Sequence, residues 1–399
     1  MVNQLKNLLS VNELRTFRVI YDTGSVSRVG VTRILHLTRA AVTGIAKRLS
    51  ELGLIMEVGK EVSSRRRGRK EVLLTVNPEA GLILSVHIAL HYFTIGLVNL
   101  SGNIIVKSTQ SFPMGSPPIN VLGPLKEAIL TMFRENHVDQ GKIFGLGVAT
   151  PGTVNYDEGT LAETSLEGWS GFRLKEYLEK ELDIAVFIEN DVKTLTLGEY
   201  QYGTGYHVKD MVCLWWEDGI GAGLIVDGKL IRGVTYSAGE IGYSEFFPEL
   251  PFKKSILMDG KSRRWGDILS FTNLDNAVKR GIAEGWKTEL KEDSAIDDLI
   301  AAAQARDPLA LYIIRLASQL LGIITLNMIY MFNPKVFLLS GVMFNRLPFL
   351  EEWVQQYLKN GLLKAPINAV EVKASSLGEN GITVGGAALV LEPLFSNNV

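Results

Sequence analysis

The chain has 399 residues, 41 Lys and Arg against 43 Asp and Glu, 46% hydrophobic residues and a single cysteine, which is the composition of a folded protein of two or three domains. Collagen-like, coiled-coil and disordered readings are excluded, and Cys213 alone can build neither an internal disulfide nor a Cys-rich zinc or iron-sulfur site, so a reducing compartment is expected. The N-terminal stretch MVNQLKNLLSVNELRTFRVIY carries charges throughout, and no segment reaches about 18 uninterrupted apolar residues, so the expected location is cytoplasmic, with no membrane partner.

The formal net charge of −2 conceals an asymmetry. Residues 1–76 hold 14 Lys and Arg against 6 Asp and Glu, a net of +8, and the remaining chain holds 27 against 37, a net of −10. A basic head on an acidic body is expected to meet a polyanion. Within the head, Val11, Leu14, Phe17 and Tyr21 recur at helical spacing until Gly24, and Ser25 or Ser27 can cap a second helix carrying Val29, Val31 and Ile34. Thr38 caps a third helix with Val42, Ile45, Leu49 and Leu52 on one stripe, ending at Gly53, where a left-handed cap is expected. His36 stands in the turn between the second and third helices, where glycine is common.

Two alternating runs, 54–57 and 72–76, then read as strands joined by VGKEVSSRRRGRKE. Helices alone would allow a small three-helix interaction module; with the Arg-rich hairpin, the head reads as a winged helix-turn-helix. Arg39, Ala40, Thr43 and Lys47 lie on the open face of the third helix, positioned for base edges or phosphates in a major groove. The hairpin tip, Arg65, Arg66, Arg67, Gly68, Arg69 and Lys70, supplies five cations for phosphates or the minor groove. The connection at Asn77-Pro78 has no slack, so motion of the body is expected to reorient the head.

Beyond Pro78, apolar strand runs over 82–88, 93–99, 143–149, 186–189, 211–215, 224–226 and 336–339 alternate with helical patterns over 121–136, 174–182 and 309–332. The body is α/β and too long for one core, so two lobes with a cleft are expected. Three constellations carry chemistry. Glu189-Asn190-Asp191 ends a strand with an amide and a carboxylate able to hold sugar hydroxyls, although by spacing alone the pair also reads as a helix cap. Gly219, Gly221 and Gly223 suit either a phosphate loop or a tight hairpin, and the acids Glu217 and Asp218 beside them oppose the first. Small residues at Ser340-Gly341 and along 377–388 read as close packing of a helix.

Taken in order, LTRAAVTGIAKRLSELGLI, RRRGRKEVLLTVNP, GLGVATPGTV, SLEGWSGFRLKEYLEKEL, FIENDVKTLTLGEY, DGIGAGLIVDGKLIRGVTYSAGEIG, NPKVFLLSGV and LGENGITVGGAALV resemble the ROK family of repressors, open reading frames and kinases, in its xylose and N-acetylglucosamine repressor branch. The resemblance implies an N-terminal winged helix-turn-helix over 1–76 and a two-lobed α/β sugar-kinase-like body of the actin, hexokinase and ribonuclease-H kind over 77–399. Lobe 1 would span about 77–188 plus a C-terminal helix over about 381–399, and lobe 2 about 189–380. It also implies a homodimer or tetramer.

Carried over residue by residue, the resemblance assigns Ser165, Asn190, Asp191 and Glu240 to a monosaccharide, with Asp191 at the position of the kinase base. Other family features are missing. His87-Ile88-Ala89-Leu90-His91-Tyr92 stands where the kinases carry Asp-Ile-Gly-Gly-Thr-Lys, Glu217-Asp218-Gly219 stands at the second phosphate turn, and Tyr243 replaces a zinc-binding histidine whose cysteine partners are absent. The expectation is therefore a sugar-responsive regulator, a repressor of carbohydrate-use genes, that binds double-stranded operator DNA. No cofactor, metal or catalytic residue is expected. The alternative is an ATP-dependent sugar kinase with an added head.

Overall fold

The computed structural model describes residues 2–61, 71–206, 208–245, 255–258 and 262–395. The chain divides into two compact units, Met1–Tyr202 with Ile382–Val399, and Gly203–Gly381.

The first unit begins with α1 (Val2–Leu8), α2 (Val11–Thr23), β1 (Val26–Ser27), α3 (Arg28–Leu35), α4 (Arg39–Glu51), β2 (Ile55–Glu61) and β3 (Glu71–Val76). The starts of α2, α3 and α4 each have a local cause. Ser10 and Glu13 form a reciprocal capping box on α2, Ser27 rather than Ser25 accepts from Gly30 N at 3.1 Å to cap α3, and Thr38 accepts from Ala41 N at 3.2 Å to cap α4. The stops are equally local: Gly24, His36 and Gly53 all take positive φ, 66°, 54° and 71°. The strands form an antiparallel sheet in the order β1-β3-β2.

The helical stripes bury Leu14, Phe17 and Tyr21 of α2, Val31 of α3, and Val42, Ala46 and Leu49 of α4. Three expected members of these stripes face solvent instead, Val11, Ile34 and Leu52, each at an end of its helix. The Arg48 Nε to Glu13 Oε1 contact of 2.8 Å ties α4 to α2.

The chain continues through β4 (Leu82–Ile88), β5 (Tyr92–Asn99), β6 (Ile104–Ser111), α5 (Pro118–Glu135), β7 (Ile143–Thr150), β8 (Thr153–Asn155), β9 (Thr160–Glu163), α6 (Leu174–Leu182), β10 (Val186–Asn190) and α7 (Asp191–Tyr202). A five-stranded sheet runs β10-β7-β4-β5-β6, parallel across its first three strands and antiparallel across the rest. The apolar runs of β4 and β7 are buried along nearly their whole lengths, as strands covered on both faces must be.

The second unit contains β11 (Met211–Trp216), β12 (Ile220–Val226), β13 (Lys229–Leu230), α8 (Trp265–Ile268), α9 (Phe271–Ala283), α10 (Ile296–Gln304), α11 (Pro308–Phe332), β14 (Val336–Ser340), α12 (Val342–Arg346), α13 (Phe349–Leu358), α14 (Lys364–Ala369) and β15 (Glu371–Ala374). Its sheet runs β13-β12-β11-β14-β15. Among the described residues α11 alone is long and apolar enough to cross a membrane, and its Ile313, Ala317, Leu321, Ile324 and Met328 are instead packed in this unit's core.

The chain then returns to the first unit as α15 (Gly381–Phe395). Gly147 of β7 faces the backbone of Gly386, and Gly385 faces that of Thr194 on α7, so neither glycine has room for a Cβ. Gly385 and Gly386, within the small-residue run of 377–388, are thus packing residues, as composition suggested for that run.

One hydrophobic cluster joins Leu14, Phe17, Ile20 and Tyr21 of the head to Ile83, Val98, Leu100, Phe144, Val390, Leu391 and Leu394. Head and first sheet therefore share a core. The boundary between the units falls at Gly203 rather than near residue 189, because α7, buried from Asp191 to Glu199, packs with the first sheet and α15.

Candidate functional sites

The first candidate surface is the open side of α4. Arg39, Ala40, Thr43 and Lys47 are all exposed, while Val42, Ala46 and Leu49 are buried on the opposite side. Thr43 Oγ1 donates to the Arg39 carbonyl at 2.8 Å, and Lys47 Nζ lies 3.7 Å from Glu51 in a pair exposed enough to contribute little. The cations of this face are therefore available to an anion. Arg65, Arg66, Arg67, Gly68, Arg69 and Lys70 lie outside the described residues.

The second is the junction of β10 and α7 in the first unit. Asn190 acts as the helix cap that its spacing allowed: Oδ1 accepts from Lys193 N at 3.1 Å, and Nδ2 donates to the Gly152 carbonyl at 3.0 Å. Gly152, at φ 96°, lies against the Glu163 carbonyl with no space for a side chain. Thr164 Oγ1 donates to the Pro151 carbonyl at 2.8 Å, which holds the segment carrying exposed Ser165 beside the same turn.

Asn190, Asp191 and the Ser165 segment are thus organised around Pro151-Gly152. Asp191 accepts from Val192 N at 2.8 Å and is 6% exposed. The neighbouring Glu189, Lys193 and Glu199 are buried almost completely, and composition gave no sign of Lys193 or Glu199, since nothing local distinguishes a buried charge on an α-helix from an exposed one. A buried set of this kind can hold hydroxyls through charge-assisted hydrogen bonds.

Glu240 belongs to the second unit, where it precedes the short turn Ile241–Tyr243. Gly239, at φ 87°, presses against Ala222 of β12, whose N–H donates to the Gly239 carbonyl at 2.8 Å, so the Glu240 loop is fixed to that strand. Gly221 and Gly223 lie within β12, paired to Trp215 and Cys213, and the 217–219 segment closes the β11–β12 hairpin through Glu217 N to the Gly219 carbonyl at 3.0 Å. Of the two readings of this glycine run, the tight hairpin is the one adopted. Tyr243 is exposed, with the Arg264 guanidinium 6.0 Å from its ring centroid.

The turn after β4 is also a closed hairpin. Ala89 N donates to the Tyr92 carbonyl at 2.8 Å. His87 is buried edge-on to the Tyr92 ring, 5.7 Å between centroids, with Nε2 lacking a hydrogen-bond partner. Burial, reinforced by Lys107, pushes its pKa down to about 4, so the imidazole is neutral at pH 7. Among the described residues no group of three His, Cys, Asp or Glu side chains is placed to hold a metal ion.

Two five-stranded sheets in separate units, with helices closing their faces, define a sugar-kinase-like body. The chain belongs to the ROK family, whose profile matches residues 83–393. It is 24% identical to the xylose repressor of Caldicellulosiruptor bescii over 98% of this chain and 97% of that protein. It is also 24% identical to the DNA-binding transcriptional repressor Mlc of Escherichia coli K12, covering all of this chain and 96% of that one. A solved ROK family transcriptional regulator, described as a homologue of E. coli Mlc, superposes with a TM-score of 0.81 at 24% identity, covering 97% of both chains.

Proposed function

We propose that this protein is a transcriptional regulator, a repressor of carbohydrate-use genes, that binds double-stranded DNA through a winged helix-turn-helix and responds to a monosaccharide. The carrying observation is α4: a capped helix with one face sealed into the head's core and the other presenting Arg39, Thr43 and Lys47 to solvent. Support comes from the repressor names of relatives that match over nearly their full lengths, head included. The arginines of residues 65–69 would add phosphate or minor-groove contacts on the sequence reading alone.

The monosaccharide is assigned to Asn190 and Asp191, with Ser165 beside them; Glu240 joins this assignment on the family resemblance. We assign no catalytic step, nucleotide or zinc. The turn after β4 is closed by its own backbone bond, carries no glycine, and places a neutral buried histidine where a phosphate-binding turn needs open N–H groups. Tyr243 offers no metal-binding nitrogen, and no thiolate set accompanies it. The protein would act in the cytoplasm as a homodimer or tetramer, because two recognition helices about 34 to 36 Å apart can enter successive major grooves.

Two assays on the full chain test this reading together. Gel retardation with the DNA upstream of its gene is expected to show a complex, and incubation with ATP, magnesium and a panel of sugars is expected to yield no sugar-dependent ADP. Sugar-dependent turnover at about 1 s⁻¹ or faster, the ordinary enzymatic range, would make the kinase alternative the correct one. Failure to retain any DNA would remove the regulator reading.

A further inference from the structure

Gly44 occupies the interior of α4, where glycine weakens a helix relative to alanine. Glycine in an ordered element can serve a left-handed backbone, close packing within the protein, or a partner that must approach the main chain, and Gly123 within α5 serves neither of the first two. The first does not apply, since Gly44 is not among the residues with positive φ. Nor does the second, because a Cβ at Gly44 would meet nothing within 4 Å among the described residues. Gly30 of α3 is the contrasting case: a Cβ there would come within 2.6 Å of the Val26 side chain.

At 3.6 residues per turn, Gly44 points directly away from Val42, Ala46 and Leu49, so it forms the outermost line of α4. Ala40 precedes it by one turn and Lys47 follows it on the same side of the helix, while Thr43 and Arg39 lie further round the axis, toward the buried stripe. The helix therefore presents bare backbone on the side opposite its buried stripe, beside Ala40 and Lys47.

We propose that Gly44 is the point where the α4 backbone touches the floor of the DNA major groove, and that its missing side chain sets how deeply the helix enters. This rests on the DNA-binding reading above. A methyl group at Gly44 would hold the helix out by about 1.5 Å, one carbon–carbon bond, and lengthen the contact of Lys47 beside it.

The test uses the full-length protein and duplexes enriched by the wild type from a random-sequence pool, with scrambled duplexes as the comparison. Gly44→Ala is expected to raise the thermal unfolding midpoint by about a degree or more, through better helix propensity, yet to bind enriched duplexes about tenfold more weakly. Scrambled duplexes should be bound within about twofold of wild type, since phosphate attraction tolerates a looser fit. Gly44→Met should lose more. Enriched-duplex affinity unchanged in both variants, an equal loss on scrambled DNA, or a lowered midpoint for Gly44→Ala would each overturn the proposal. A wild type that enriches no duplex overturns the DNA-binding reading beneath it.

Discussion

The phenol of Tyr202, the last residue of α7, is hydrogen-bonded to the phenol of Tyr21 on α2. Burial pushes the Tyr202 pKa up, partly offset by that hydrogen bond, and its ring lies over Gly102, where φ is 81° and a side chain would collide with it. The other end of α7 is Asn190-Asp191. A single buried helix therefore runs from the proposed effector residues to the head, and α2 is fixed further by Arg18 Nη1 donating to the Phe395 carbonyl at 3.2 Å.

Tyr202→Phe should fold, at a cost of about 1 to 2 kcal/mol for the lost hydrogen bonds to Tyr21 and the Leu100 carbonyl. It should keep its sugar-dependent thermal stabilisation while the effect of sugar on operator affinity shrinks. Thermal shift and gel retardation on the same preparations separate the two. An undiminished sugar effect on DNA binding would show that α7 does not carry the signal.

Asp191→Ala should abolish stabilisation by the effector sugar, a gain of about 2.7 kcal/mol at 100 times the dissociation constant, and leave DNA binding in the absence of sugar intact. Normal stabilisation of the variant would move the effector elsewhere.

His87 predicts an acid sensitivity. Its pKa is about 4 in the folded protein, against 6.5 for an ordinary, solvated histidine, so between these values the unfolded chain binds more protons and stability falls as pH falls. The loss begins below about pH 6.5 and is complete near pH 4, reaching about 3 kcal/mol at 1.36 kcal/mol per unit. His87→Phe, which removes the titrating group, should flatten that part of a denaturation-against-pH curve; an unchanged slope would assign it to other groups.

The arginines of the segment between β2 and β3 should supply affinity that ignores sequence. Changing Arg67 and Arg69 to Ala should weaken binding to operator and random DNA alike, and each lost phosphate contact should reduce the salt slope by about 0.9. A loss seen with the operator alone would assign these arginines to base readout.

What was legible in the sequence followed local backbone chemistry. Ser27, Thr38, His36 and Gly53 mark their helix ends because caps and left-handed turns depend on a few adjacent residues. Asn190 was legible as a cap for the same reason. Periodicity found the buried stripe of α4 but misplaced Val11, Ile34 and Leu52, since it gives a face without saying how far the partner extends along it. Strand β6 (IIVKSTQS) was missed: it is a polar edge strand, recognised only by its pairing with β5.

The coupling of head to body was legible only in part. Asn77 is indeed fixed, donating from N to the Leu54 carbonyl at 2.9 Å and from Nδ2 to the Gly53 carbonyl at 2.8 Å. The head is also held by the docking of Phe17 and Tyr21 against Phe395, at centroid separations of 5.9 and 5.3 Å, a second link beside the short connection. Ten Gly/Ser residues inserted after Asn77 should therefore leave much of the sugar response, whereas Phe395→Ala, costing about 3 to 5 kcal/mol, should reduce it strongly. A response abolished by the insertion and untouched by Phe395→Ala would restore the connection as the link.

Because α15 follows the whole of 203–381 in the chain, the first unit cannot close its core as it leaves the ribosome. At about 5 to 20 residues per second, those 179 residues take roughly 10 to 35 s to synthesise. Throughout that interval the Gly147 face of the sheet and the ring faces of Phe17 and Tyr21 lack the helix that covers them. Nascent chains should accordingly be recognised by chaperones most strongly between completion of α7 and arrival of α15, and a head seated for its target is a late product of translation even though its own residues emerge early.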